Sequence, residues 1–226
     1  MKTLLSSFRR LPITRILDPT IPLSGYTLLD LSVTNPDLKH ISLSDPDACQ
    51  KYIDEVLVRK KARVAYGGYL EQRDLYSGNV NFALDEERRD VHLGVDFWAK
   101  AGTRVVAPLD GEVHSFKNNA VQGDYGPTII LRHELEGMLF HSLYGHLSLE
   151  SLDGLYVGKA FKKGEELATL GTPEVNVHYA PHLHFQLILD LQRKKGDYPG
   201  VCRASEVDFY SRNCPDPMLL FRCRSN

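Results

Sequence analysis

Four polar residues are spaced so that together they could bind a metal ion. His92 and Asp96 lie four positions apart, and His182 and His184 lie two positions apart. Imidazole and carboxylate groups are ligands that suit Zn²⁺, and three protein ligands with a fourth position left for water form the catalytic pattern of zinc sites. The alternative is that these residues are ordinary polar positions on the solvent-facing sides of two strands.

The residues around each pair predict β-strands that would orient them. Over residues 91–98, apolar side chains alternate with small or polar ones, and in a strand residues i, i+2 and i+4 share a face. The first pair is therefore expected to point in one direction, with Gly94 between its members leaving open space in which an ion could sit. The second pair likewise shares a face, and a strand is predicted over residues 183–189.

Further short strands are predicted after about residue 64. Residues 128–133 and 138–144 predict two strands that flank a turn at 134–137. Asp110-Gly111 is a strong hairpin signal after the β-type run 103–108. Short strands at regular spacing, with little helix between them, indicate an antiparallel β-sandwich or barrel.

The first part of the chain has a different character. Residues 1 to about 45 are rich in proline and in Asp-Pro and Asn-Pro turns, which favour extended and turn conformations over helix. Their apolar residues suggest a segment packed on the main body. Residues 47–61 are the best helix candidate, because apolar residues recur at helical spacing and Asp45 or Asp47 could cap its start.

Composition places the chain among ordinary globular proteins. It has 226 residues, of which 42% are hydrophobic and 25% charged, and this excludes wholesale disorder. The formal net charge of −2 argues against a dedicated nucleic-acid binder, which would carry a basic excess. No apolar run approaches the length that crosses a bilayer. We therefore expect neither nucleic acid nor membrane among its partners.

The N-terminus and the cysteines predict a cytoplasmic location. Arg9 and Arg10 stand where a secretory signal needs its apolar stretch, and no cleavage site of small residues follows an uninterrupted apolar segment. The four cysteines fit neither a zinc knuckle nor an obvious disulfide pattern. Free thiols in a reducing compartment are therefore expected.

Four linked motifs resemble those of the lysostaphin/LytM-type zinc metallopeptidases. They are His92-Leu-Gly-Val-Asp96, the stretch 106–113, the stretch 143–148 around His146, and Pro181-His-Leu-His-Phe185. Their order, their strand and turn context and their approximate spacing all match, over roughly residues 64–190. The resemblance implies an endopeptidase that cuts peptide crossbridges or stems of bacterial peptidoglycan, and a compact antiparallel β fold, the duplicated hybrid motif.

The resemblance also implies a role for each polar residue. His92, Asp96 and His184 would be the ligands of one zinc ion per chain, and water would complete the site. His146 and His182 would be catalytic histidines that do not bind the metal. Two such histidines can take a proton from water, deliver it to the leaving amine and donate to the oxyanion, and which of them does which stays open.

These inferences combine into one expected architecture. The fold class is mainly β, with a compact antiparallel β-sandwich or barrel-like core and an N-terminal extension that contains one helix. Residues 1–63 are the extension packed on the core, residues 64–190 the metallopeptidase-like β domain, and residues 191–226 the C-terminal tail. The extension could be a supporting layer far from the metal, or it could lie across the cleft.

Three functions are compatible with these residues. The first is a zinc-dependent metalloendopeptidase whose substrate is a peptide or a peptidoglycan fragment. The second is a cytoplasmic metallohydrolase with a substrate other than peptidoglycan. The stretches 123–130 and 181–186 also resemble a sub-group of these domains attached to aminotransferase-like multidomain proteins, and this resemblance implies such a substrate. The third is a non-catalytic binding module that retains the cleft. Family members of that kind have typically lost ligands, and none is missing in this sequence.

Several other residues are candidates for supporting roles. Arg73 lies roughly where family members carry Gly-x-Arg before the first metal motif, although its spacing is longer. Four other histidines are expected to be structural or to support the ligands: His114, His133, His141 and His178. Three residues could line a cleft or be plain packing: Tyr66, Tyr69 and Asn176.

Overall fold

An eight-stranded sheet forms the centre of the protein in the computed structural model, which describes residues 2–12, 14–74, 88–121, 123–176 and 178–221. In spatial order its strands are β1 (Tyr26–Leu28), β2 (Val64–Gly67), β4 (Val95–Trp98), β11 (His182–Ile188), β8 (Met138–Gly145), β7 (Gly126–Leu135), β6 (Gly111–Asn119) and β9 (Ala160–Phe161). Neighbouring strands are antiparallel except β1 and β2, which run parallel. The mainly β, antiparallel fold predicted from the sequence is confirmed.

Two short strand pairs and several helices surround this sheet. The pairs are β5 (Arg104–Val106) with β10 (Glu166–Thr169), and β3 (Arg89–His92) with β12 (Val201–Arg203). The described α-helices are α1 (Lys2–Arg10), α2 (Pro46–Lys60), α3 (Val207–Asn213) and α4 (Met218–Phe221). The described 3₁₀-helices are Leu23–Gly25, Pro36–Leu38, Leu149–Leu152 and Ala204–Glu206. Across the described ranges no helix has both the length and the apolar character to span a membrane.

Both faces of the central sheet are covered. Odd-numbered residues of β11, such as Phe185, lie in the main core with apolar residues of β4, β7 and β8. On the opposite face, Ile188 packs with Tyr198 and Cys214 from the segment that follows β11. The even-numbered face of β11, which carries His182 and His184, is therefore buried beneath the C-terminal segment and does not face solvent.

The predicted hairpin and the predicted strand near the C-terminus are confirmed. Strands β7 and β8 pair along their length and turn at Glu136 and Gly137, whose φ angles of 51° and 76° are those of a two-residue hairpin turn. Strand β11 covers the predicted strand within one residue at each end. The alternation of apolar residues was sufficient for both predictions because each strand has a core-facing side.

The single strand predicted over 91–98 is wrong. The chain bends at Leu93-Gly94, so that β3 pairs with β12 while β4 joins the central sheet. The Leu93 backbone N–H donates to the Gly200 carbonyl at 2.8 Å, which turns the chain away from the sheet. The His184 ring fills the space beside Gly94. A Cβ on residue 94 would lie only 2.7 Å from His184 Cε1. Gly94 therefore makes room for an imidazole and not for an ion.

The hairpin predicted at Asp110-Gly111 is also wrong. Strand β5 pairs with β10, and β6 pairs with β7 and β9, so the two strands on either side of this turn are not partners. The Asp110 carboxylate instead accepts hydrogen bonds from the backbone of Lys163 at 2.7 Å and from the ammonium of Lys162 at 3.0 Å. Asp110 thus connects the start of β6 to the loop at Lys162 and Lys163 through hydrogen bonds.

The N-terminal residues lie against the sheet. Helix α2 is the predicted helix, and Asp45 caps it by accepting hydrogen bonds from the backbone N–H groups of Asp47 and Ala48. Helix α1 is an additional helix, which the proline-rich composition of residues 1–45 did not predict. Its residues Leu4 and Phe8, four positions apart, are buried in the main core. The division of the chain at residues 63 and 190 stays a prediction.

Candidate metal centre and cleft

Three side chains bring one potential ligand atom each to a common point. Nε2 of His92 lies 2.8 Å from Nδ1 of His184 and 3.3 Å from Oδ1 of Asp96, and Nδ1 of His184 lies 3.1 Å from the same oxygen. Four ligands around zinc with bonds of 2.0–2.1 Å would be about 3.3 Å apart. The spacing therefore fits a small tetrahedral cation. It arises because Asp96 in β4 is directly opposite His184 in β11.

All three atoms present lone pairs to this point. His92 Nδ1 lies 2.9 Å from the Gly68 carbonyl, which can only accept, so the ring proton is on Nδ1 and Nε2 is free. Gln186 donates through its amide nitrogen to the Pro199 carbonyl at 3.1 Å, so its Oε1 accepts from His184 Nε2 at 3.0 Å. Nδ1 of His184 is then free as well. Neighbours of this kind orient histidine ligands in metal sites.

Arg73 holds the other side of the carboxylate. Its guanidinium NH1 lies 2.6 Å from Asp96 Oδ2, and its Nε lies 2.6 Å from Glu71 Oε1. Arg73 is 2% exposed, so this ion pair is sheltered from water. Oδ1 of Asp96 remains directed at the two imidazoles. Gly68 permits the approach, since a Cβ on it would collide with the Arg73 guanidinium.

The electrostatics leave the site in the protonation state that metals require. Burial lowers the pKa of His92 to about 4, although the nearby Asp96 carboxylate acts in the opposite direction. Burial alone would raise the pKa of Asp96, but His92 and Arg73 outweigh it and hold that pKa well below its usual range. A neutral imidazole beside an ionised carboxylate can bind a cation without first losing a proton.

His146 and His182 lie together beside the three ligands. Their ring centroids are 4.1 Å apart, and the centroid of His146 is 6.5 Å from that of His184. The Nδ1–H of His182 donates to the Ala180 carbonyl at 2.7 Å, which leaves its Nε2 as an acceptor. Burial lowers the pKa of both histidines, so both are neutral near pH 7. Two neutral imidazoles are available to accept protons.

All five of these residues are buried, with exposures of 2–8%. The alternative that they are ordinary polar residues on solvent-facing strand surfaces is therefore wrong. They line a cavity of about 390 Å³ together with residues from the segment after β11 and from the loop before β7. None of the described residues of the N-terminal 63 lines it. A cavity of about 780 Å³ between the N-terminal segment and residues 88–90 holds none of the five.

Tyr125 and the segment 194–201 cover the cleft. The Tyr125 ring centroid is 5.0 Å from that of His184 and 5.8 Å from that of His146. Its hydroxyl donates to the Tyr198 carbonyl at 2.9 Å. The absence of a side chain on Gly200 lets the hydroxyl approach this segment, since a Cβ there would collide with it. We call residues 194–201 the strap. Its backbone carbonyls also accept hydrogen bonds from the Gln186 side chain and from the Leu93 backbone N–H.

Sequence reasoning missed several residues that support the site. Gln186 follows His184 by two positions on the same face of β11, so the strand period could have identified it. No sequence pattern indicated that Tyr125 and the strap lie at the site, because their positions depend on how distant segments pack. Tyr66 lies in the main core and Tyr69 bonds to the Cys214 carbonyl, so neither lines the cleft. Four histidines that were expected to be structural or to support the ligands also lie outside it: His114, His133, His141 and His178.

Part of the chain is similar in sequence to known proteins. Residues 90–197 match the model of a family described as Peptidase family M23. A protein of Haemophilus influenzae described as an uncharacterized metalloprotease is 39% identical over 95 residues, which are 42% of this chain and 18% of that protein. The chain thus spans about a fifth of its length.

Two solved structures are similar to part of the chain. A zinc containing peptidase from Vibrio cholerae is 25% identical, with a TM-score of 0.36 over 44% of this chain and 28% of that one. The catalytic domain of lysostaphin from Staphylococcus simulans is 24% identical, with a TM-score of 0.37 over 54% of this chain and 80% of that one.

Proposed function

Residues 90–197 belong to peptidase family M23, and on that premise we propose that this chain is a zinc-dependent metalloendopeptidase. One zinc ion per chain would be held by His92, Asp96 and His184. The substrate class that we propose is a peptide of the peptidoglycan type, either a fragment or a crossbridge. The resemblance of the four motifs to the lysostaphin/LytM-type peptidases supports that choice.

The convergence of three lone pairs on one point carries the proposal. A carboxylate oxygen and two imidazole nitrogens lie 2.8–3.3 Å apart, and each is oriented by a further hydrogen bond or ion pair. Three acceptors so close together repel one another unless a cation neutralises them. Nitrogen and oxygen ligands with tetrahedral spacing suit zinc, and three protein ligands leave one position for the reaction.

The chain's own residues supply the proton chemistry. Zinc at this position would polarise a substrate carbonyl and make water more acidic. His146 and His182, both neutral, can accept the proton of the attacking water and return it to the leaving amine. Arg73 keeps Asp96 ionised, so the carboxylate is available as a ligand at neutral pH. Tyr125 and the strap exclude bulk water from one side of the cleft.

A second candidate substrate follows from the covered cleft. The strap lines one side of the cavity, and a volume of about 390 Å³ is small for a cross-linked polymer. This favours a short, free peptide as the alternative to intact peptidoglycan. The resemblance of residues 123–130 to the sub-group attached to aminotransferase-like proteins points in the same direction.

The experiment combines substrates with variants. The zinc-loaded full chain is incubated separately with intact peptidoglycan and with a mixture of short synthetic peptides, and the products are identified by mass spectrometry. His146→Ala and His182→Ala should each retain zinc yet lose about 10²–10³-fold in rate. His141→Ala, outside the cleft, is the matched control and should keep its rate. Absence of hydrolysis with both substrates, or equal rates in all variants, would contradict the proposal.

A further inference from the structure

Asn176 occupies a buried position beside both histidines that do not bind metal in our proposal. Its side chain is fully buried, and its amide nitrogen donates to the Ala180 carbonyl at 3.4 Å. The same carbonyl accepts the Nδ1–H of His182 at 2.7 Å. One end of the Asn176 amide is therefore connected to His182 through a shared carbonyl oxygen.

The other end of the Asn176 amide is unbonded, and so is one ring nitrogen of His146. Among the described residues, Asn176 Oδ1 and His146 Nδ1 are both buried, and neither makes a hydrogen bond of good geometry. The Asn176 amide is nevertheless near enough to act on the pKa of His146 in the raising direction, against the burial that lowers it. Asn176 Oδ1 is an acceptor without a donor, and His146 Nδ1 can carry a proton to donate. A hydrogen bond between them would satisfy both atoms, and buried polar groups are costly when left unbonded.

The backbone of His146 is held firmly, so only its ring needs orienting. Its φ of 62° lies in the left-handed region, which is uncommon for a residue with a side chain. Its N–H donates to the Tyr125 carbonyl at 2.8 Å, and its carbonyl accepts from Gly171 at 3.0 Å. A strained backbone that is bonded on both sides is typical of functional positions.

We propose that Asn176 is a positioning residue that accepts the Nδ1 proton of His146 and so directs the His146 Nε2 lone pair into the cleft. Asn176 thereby fixes the ring proton of His146 on Nδ1, just as the Ala180 carbonyl fixes the ring proton of His182 on Nδ1. The two imidazoles carry the same tautomer, and each presents Nε2 to the substrate as a proton acceptor. This inference rests on the proposed function, but its first readout does not need a substrate.

The simpler alternative is that Asn176 only shapes a turn. Its backbone N–H donates to the Thr172 carbonyl, and its carbonyl accepts from Tyr179. Those backbone bonds do not depend on the side chain. A test must therefore separate the orientation of one imidazole from the stability of the loop.

The test reads the tautomer of His146 directly. The full chain is labelled with ¹⁵N-histidine and loaded with zinc, and two-bond ¹H–¹⁵N spectra at pH 7.5 assign the protonated nitrogen of each ring, with His146→Gln identifying the signal. The wild type should carry the His146 proton on Nδ1. Asn176→Leu should shift the signal towards Nε2–H or a mixture, while Asn176→Asp, which keeps an acceptor, should retain Nδ1–H.

Activity gives the second readout if a substrate is cleaved. Asn176→Leu should lower kcat roughly ten- to a hundred-fold at unchanged KM and unchanged zinc content, with Asn176→Asp at least partly restored. A wild-type His146 protonated on Nε2 would overturn the proposal even if the leucine variant did not fold. So would an unchanged tautomer in a folded Asn176→Leu protein. Failure of the proposed function would appear instead as absent hydrolysis with the tautomers as expected.

Discussion

His92 and His184 meet edge to face, with Nε2 of His92 lying 2.8 Å from Nδ1 of His184. Each of these nitrogens carries a lone pair, because the other nitrogen of its ring donates to Gly68 or to Gln186. Two lone pairs at this distance repel each other unless a cation lies between them. The fold therefore holds the two rings in an arrangement that a bound metal ion stabilises.

Removal of the carboxylate should remove the metal. Purified wild-type protein should contain about one zinc ion per chain, and Asp96→Ala should contain almost none, because only neutral donors remain. Metal content is measured by inductively coupled plasma mass spectrometry. Asp110→Ala, which removes an exposed carboxylate, is the control and should keep its zinc. Equal zinc content in the Asp96 and Asp110 variants would refute the ligand role of Asp96.

Loss of the Gln186 amide should weaken metal binding. Gln186→Leu removes the acceptor that keeps the His184 proton on Nε2, and such supporting groups contribute about 10–100-fold in affinity. Zinc affinity is measured by competition with a chromogenic chelator. Leu187→Ala, buried on the opposite face of β11, is the matched control, since it should lower stability without changing affinity. If both variants bind zinc equally, Gln186 does not orient the ligand.

The N-terminal helix should contribute to stability and not to access. Phe8 is fully buried and its ring lies 4.9 Å from that of Phe140, so Phe8→Ala should lower the free energy of unfolding by about 3–5 kcal/mol. Leu28→Ala, at a position 55% exposed, should change it by less than about 0.5 kcal/mol. Urea unfolding measures both.

A truncation tests whether the extension covers the cleft. A chain lacking residues 1–45 should be unstable or insoluble, because Phe8 and Ile16 belong to the main core and no described residue before 64 lines the cavity. A soluble truncation that cleaves peptides faster than the full chain would instead identify the extension as a lid.

His133 should make the fold sensitive to mild acid. Burial lowers its pKa to about 4, although the hydrogen bond from its Nδ1–H to the Asp110 carbonyl acts in the raising direction. Between the unfolded pKa of about 6.5 and the folded value, only the unfolded chain binds the proton, so the free energy of unfolding falls as pH falls. This residue alone should cost about 2 kcal/mol between pH 7.5 and pH 5.

The His133→Gln variant isolates that contribution. Urea unfolding of wild type and variant at both pH values gives a double difference in which other titrating groups cancel. The variant should be less stable at pH 7.5 but should lose about 2 kcal/mol less on acidification. An identical pH dependence in the two proteins would mean that His133 does not titrate on unfolding.

Parts of the fold that depend on neighbouring residues could be predicted from the sequence. The β7–β8 hairpin, strand β11 and the Asp45 cap of α2 were all anticipated, because alternation, turn residues and capping act over a few positions. Helix α1 was not predicted, since its two core residues, Leu4 and Phe8, are too few to establish a helical repeat of apolar residues. The break between β3 and β4 was missed because it depends on Gly200, more than a hundred residues away.

The sequence by itself determined which side chains could form the centre. Strand periodicity and the four motifs singled out His92, Asp96, His146, His182 and His184, and the structure brings all five into one cavity. What only the tertiary structure decided is how each is oriented and what covers it. Arg73 reaches Asp96 across 23 positions, and Gln186 reaches the strap at Pro199. Such contacts depend on the order β4–β11–β8 and on the packing of the C-terminal segment, because hydrogen bonds between distant residues form only after the sheet has set their separation.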